Sequence, residues 1–191
     1  FDTGPASLYA YVKNKQELLE RVLDRVVEDG EVPEDAATWQ ETVRGWAHNS
    51  RAVLAAHQDV AKLAFAYIPH GDSLVEGAEK VMGAMIEGGV PPQVAAWTLD
   101  VVSLYVSADA YEGWLLGKRF DDGSGRDPSE VAEVELAEVG EQFMALPADR
   151  FPYMSKYGSL LMVGDSDERF AFGINMLIAG FEAQIPKSGT D

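Results

Sequence analysis

Between residues 15 and 184 the apolar side chains recur three and four positions apart, and no stretch of useful length alternates apolar with polar as a half-buried strand does. That periodicity confines the chain to helices packed on helices. The expected segments have readable ends. Residues 15–27 place Leu18, Leu19, Val22, Leu23, Val26 and Val27 on one face, and residues 30–37 form a loop around Pro33. Thr38 with Glu41, and Ser73 with Glu76, have the spacing of a capping box, in which a hydroxyl and a carboxylate satisfy the first free amides of a helix. Gly88-Gly89 predicts a stop, and Pro91-Pro92 a start for a long apolar helix to about residue 116. Residues 118–127 read as a loop, a helix follows from Asp127-Pro128 to Pro147, residues 146–165 look irregular, and a last helix spans 167–184 before Pro186. A short apolar segment, residues 59–68, ends at Pro69.

A chain of 191 residues, 47% hydrophobic and 25% charged, is long enough to bury a sizeable core. It has no cysteine, which excludes disulfides and thiolate metal sites and suits a reducing, cytoplasmic setting. No apolar run reaches the roughly 18 residues that would cross a bilayer. The net charge of −17 argues against nucleic acid until its distribution is considered. Residues 1–27 balance Asp2, Glu17, Glu20 and Asp24 against Lys13, Lys15, Arg21 and Arg25, so the excess lies in residues 28–191. A neutral tip on an acidic body can meet phosphates through the tip.

The tip carries the most specific motif. Thr3-Gly4-Pro5-Ala6-Ser7-Leu8-Tyr9 leads through Ala10-Tyr11-Val12 into Lys13-Asn14-Lys15 and the next helix. This run resembles the recognition helix and following linker helix of the TetR family of transcriptional repressors. The resemblance continues through Trp39-Gln40-Glu41, Arg44, Arg51, His57, Asp59, Ala61-Lys62 and Pro69. It returns at Phe172-Gly173 and Gly180-Phe181-Glu182, and so points to the tetracycline-repressor branch.

What the resemblance implies is a ligand-responsive, DNA-binding repressor with an all-α fold. Residues 1–30 would be a partial helix-turn-helix with its linker helix, the supporting helix lying upstream of Phe1. Residues 31–191 would bind ligand and dimerise. The helix over residues 3–12 would enter the major groove. Thr3, Gly4, Ala6, Ser7 and Ala10 would face base edges, and Tyr9, Tyr11 and Lys15 the phosphates. An ordinary helical hairpin with packed tyrosines would account for the same residues without DNA. The partners implied are a palindromic double-stranded operator, a small-molecule effector and a second copy of the chain. The second copy would be met through helices near 91–116 and 167–184, where Ser103, Ser107, Ala108, Gly173, Ala179 and Gly180 permit close approach. No membrane partner and no cofactor is implied.

By alignment with that branch, the effector pocket falls on Trp46, Asn49, Ser50, Ala64, Tyr67, Ile68, Met82, Met85, Leu99, Ser103 and Glu112. In the tetracycline-binding member a pocket histidine ligates a metal held by the drug, and an acidic residue acts through water. Ala64 stands at the histidine position and Glu112 at the acidic one, while Trp46 and Ser50 replace an asparagine and a phenylalanine. A different, bulky and apolar effector with no metal is therefore expected. Each tryptophan or methionine read singly fits plain core better than ligand contact. His48 and His57 stand nine positions apart and do not share a helix face at ligand spacing, and His70 lies in a loop. His57 and Asp59 have no activated serine or cysteine beside them, so catalysis is not expected. The remaining alternative is a helical ligand-binding or interaction protein that does not bind DNA.

Overall fold

The computed structural model describes residues 10–57, 60–64, 71–121, 123, 125 and 127–186. Among these it is helical throughout, with no strand. The helices are α1 (Lys15–Val27), α2 (Trp39–Ala56), α3 (Ala61–Ala64), α4 (Asp72–Glu87), α5 (Pro92–Phe120), α6 (Pro128–Met144), α7 (Met154–Tyr157), a 3-10 turn (Gly158–Met162) and α8 (Ser166–Glu182). They divide into two compact units. One holds residues 1–111 with 173–191, and the other residues 112–172, with α5 and α8 contributing to both.

In the first unit, α1 packs against α2, α3 and α4, and α2 packs against α4. The buried core comprises Leu23, Val43, Ala47, Val81, Met85, Val90, Ala95, Val102 and Ile174. Local chemistry sets the helix ends. The Asn14 side chain accepts from the Glu17 amide at 2.9 Å, and the Glu17 carboxylate accepts from the Lys13 amide at 2.7 Å, so two free donors at the start of α1 are satisfied reciprocally. Thr38 and Glu41 do the same for α2, with Thr38 Oγ1 accepting from the Glu41 amide and Glu41 from the Ala37 amide.

The expected Ser73–Glu76 box does not form. Helix α4 begins two residues earlier, at Asp72, with Gly71 rather than Ser73 as its N-cap and no side-chain cap. The Asp24 carboxylate of α1 lies so close to Gly71 that any β-carbon there would sit 2.5 Å from its oxygen. A carboxylate from a neighbouring helix thus faces the positive end of α4, where negative charge is favourable, and glycine is what admits it. At the other end of α4 the chain turns through Gly88-Gly89. The Val90 amide bonds to the Met85 carbonyl at 2.9 Å, and Gly89 takes a φ of +89°.

Helix α5 runs four residues beyond its expected end. The loop read over 118–127 is correspondingly shorter. Lys118 stacks over the Trp114 ring at 4.0 Å, and Lys118 and Arg119 sit in the last turn, where the dipole favours cations. In the second unit the segment read as irregular folds into α7 and the 3-10 turn, both packed on α6. The Arg169 guanidinium donates to the carbonyls of Leu161, Val163 and Gly164 at 2.6–3.2 Å, tying down backbone oxygens that the short turns leave free.

Candidate functional site: a cavity walled by α1, α2, α4 and α5

Within the first unit lies a cavity of about 400 Å³. Among the described residues, four helices supply most of its wall and Ala64 of α3 adds to it. From α1 come Leu23 and Val27, followed by Gly30 and Val32; from α2, Trp46, Ser50, Val53 and Leu54; from α4, Leu74, Gly77 and Ala78; from α5, Ala96, Leu99, Asp100, Ser103, Leu104, Val106 and Ser107; Ala64 closes one side. The walls are mainly aliphatic, with one indole, three serine hydroxyls and one carboxylate. A mostly apolar hollow with a few placed polar groups is the ordinary build of a small-molecule site.

The walls are held at defined separations. Arg51 of α2 and Asp109 of α5 pair with only 17% and 16% of their side chains exposed. Asn49 of α2 donates to the Glu31 carbonyl at 2.7 Å, fixing the strap between α1 and α2. Arg44 donates twice to Asn175 of α8, at 3.2 and 3.1 Å. Near the tip, the Glu17 carboxyl is held below its ordinary range, first by the Lys13 amide and then by the Arg21 guanidinium at 2.8 Å.

The expected ligand residues divide between wall, core and surface. Trp46, Ser50, Ala64, Leu99 and Ser103 line the cavity. Met85 does not: it is fully buried in the core, since the face of α4 that carries it packs on neighbouring helices. Met82 is half-buried and also off the wall. Asn49 turns outward to its bond with Glu31. Glu112 is exposed on α5 and is not part of the cavity wall. Tyr67 and Ile68 lie outside the described residues. The contributions of α1 and of Leu74, Gly77 and Ala78 were not foreseen. Nor was the carboxylate of Asp100, although an aspartate in so apolar a helix was a visible signal.

Of the expected DNA-contacting residues, Ala10, Tyr11 and Lys15 are exposed ahead of and at the start of α1, with Tyr11 79% exposed. Thr3, Gly4, Ala6, Ser7 and Tyr9 lie outside the described residues. The two helices expected at a subunit contact expose some apolar side chains and turn others inward. Trp97 (64% exposed) and Val101 lie on one stripe of α5, and Met176 is exposed on α8. Ser103 and Ser107, however, face the cavity. Gly173 is occupied within the chain, where the Tyr105 hydroxyl lies against it. Among the described residues no group of acidic and histidine side chains is placed to hold a metal, and no helix is long and apolar enough to cross a membrane.

A sequence model of the tetracyclin repressor-like C-terminal domain matches residues 32–185. The HTH-type transcriptional repressor DrrR1 of Streptomyces coeruleorubidus is 26% identical over 187 residues, covering 96% of this chain and 67% of that protein. The structure of ActR from Streptomyces coelicolor in complex with actinorhodin superposes with a TM-score of 0.80 at 33% identity, covering 97% of this chain and 84% of that one. A TetR variant from Acinetobacter baumannii in complex with minocycline shares the fold, with a TM-score of 0.65 at 20% identity and coverage of 97% and 82%.

Proposed function

The chain belongs to the TetR family of ligand-responsive, DNA-binding transcriptional regulators, and on that premise we propose that the cavity of the first unit is the effector site and that α1 carries its state to the DNA-reading tip. One observation carries this reading: Leu23 and Val27 of α1, the helix that follows the tip directly, are part of the cavity wall. A molecule that enters must therefore touch α1, and a change in α1 changes the affinity of the cavity. The linkage is reciprocal, and it requires the effector to prefer one position of α1; tight binding alone would shift nothing.

The effector is bulky and mainly apolar, as the volume and lining of the cavity suit. That relatives were solved with actinorhodin and with minocycline supports a large organic molecule as effector. The tip, residues 1–30, meets a palindromic operator through Thr3, Gly4, Ala6, Ser7, Tyr9, Ala10, Tyr11 and Lys15. Residues 31–191 hold most of the effector site, completed by Leu23, Val27 and Gly30, and the contact with a second copy. Exposed Trp97 and Val101 with Met176 support that contact. The protein acts in the cytoplasm and catalyses no reaction.

Fluorescence anisotropy with the DNA flanking the gene tests the reading. Binding is expected to depend on the palindrome and to fall steeply with salt, as phosphate contacts require. Ser7→Ala or Lys15→Ala should weaken it while leaving ligand affinity intact. Binding equal to that of random DNA, with ligand still bound, would support a ligand-binding protein without an operator there.

A further inference from the structure

The polar atoms of the cavity are unevenly placed. Asp100, Ser103 and Ser107 stand at i, i+3 and i+7 on α5 and form one stripe along the wall. None of the three has a hydrogen-bond or ion-pair partner among the described residues. Ser107 is 3% exposed, yet its hydroxyl is not sealed in packed interior, because no buried side-chain oxygen or nitrogen is left unsatisfied. Its remaining accessible surface therefore opens into the cavity. A hydroxyl that opens into a cavity can donate to or accept from a guest or water.

Asp100 stands at the more exposed end of the stripe, and among the described residues no lysine, arginine or histidine lines the cavity. The whole chain adds a net charge of −17. An anion entering would meet the Asp100 carboxylate inside an acidic body, whereas a cation would find a counter-ion there. We infer that the cavity selects an organic cation: an apolar ring body against Trp46 and the aliphatic walls, with a protonated amine at Asp100 and a hydrogen-bonding group at Ser107. This rests on the reading of the cavity as the effector site and adds the charge class of the ligand.

Three probes with one ring system test it on the full chain: 9-(methylaminomethyl)anthracene, 9-anthracenemethanol and 9-anthracenecarboxylate, titrated by their own fluorescence at neutral pH. The cation should bind about tenfold tighter than the alcohol, a ratio typical of one partly desolvated charge pair, and the carboxylate weakest. Asp100→Asn, an exposed position, should bring cation and alcohol to equal affinity. Ser107→Ala should weaken the amine probe less than Asp100→Asn does and preserve its preference over the alcohol. Equal binding of all three, or tightest binding of the carboxylate, overturns the inference and leaves the cavity as a binding site. A preference for the cation that survives Asp100→Asn also overturns it. Failure of all three to bind overturns both the inference and the effector-site reading beneath it.

Discussion

Arg51 and Asp109 are mostly withdrawn from water, and removing either leaves the other a charge in poor surroundings. Arg51→Ala should cost about 2–3 kcal/mol of stability, somewhat below the figure for fully buried pairs because some solvent remains. Denaturant unfolding measures it. A second pair of substitutions separates wall from core. Met85 is fully buried, so Met85→Ala should cost about 2–5 kcal/mol and leave ligand affinity nearly unchanged. Trp46 is half-buried on the cavity wall. Trp46→Ala should cost less in stability and strongly weaken ligand binding, as loss of an aromatic anchor does. Sequence periodicity could not tell these two residues apart. An apolar side chain on a helix face looks the same whether it meets a neighbour or a hollow, and α4 carries both kinds. Asp100 with Ser103 and Ser107 was legible in principle, as polar groups at helical spacing in an apolar helix. The small size of the serines pointed instead to a subunit contact.

Among the elements, α1 does most to join sequence to function. Its ends were readable because they depend on neighbours in the chain: Asn14 and Glu17 are three residues apart and cap it reciprocally. The start of α4 was not, because Asp24 reaches Gly71 across the fold. The Glu17 carboxyl, held below its ordinary range, stabilises the start of α1 above the pKa of the unfolded chain. It loses that contribution as pH falls through the lowered value. A carboxyl chemical-shift titration should give Glu17 a midpoint below 4.5, and Glu17→Gln should remove the acid-dependent loosening. Val27 lines the cavity from α1. Val27→Phe, which grows into the hollow, should imitate a bound effector and weaken operator binding without ligand, as read by anisotropy.

For the whole molecule, the acidic charge and the apolar surface belong to one account. The excess negative charge lies outside residues 1–27, so the tip alone can approach DNA. Two tips must act together to read a palindrome. Trp97 and Met176 expose 64% and 56% of their surface on α5 and α8. Trp97→Asp with Met176→Asp should convert the dimer to monomer in sedimentation velocity and remove palindrome-dependent binding, while the helical circular dichroism signal persists.

The central claim is that filling the cavity moves α1. The chain has no cysteine, so Gln16→Cys, at an exposed position on α1, places one spin label on each protomer. Ala78→Trp fills the cavity from α4, without altering α1 itself. Pulsed dipolar spectroscopy then compares the label-to-label distance in the dimer with and without Ala78→Trp. A shift in that distance, accompanied by weaker operator binding, is the expected result. An unchanged distance in a folded dimer with a filled cavity would contradict the account.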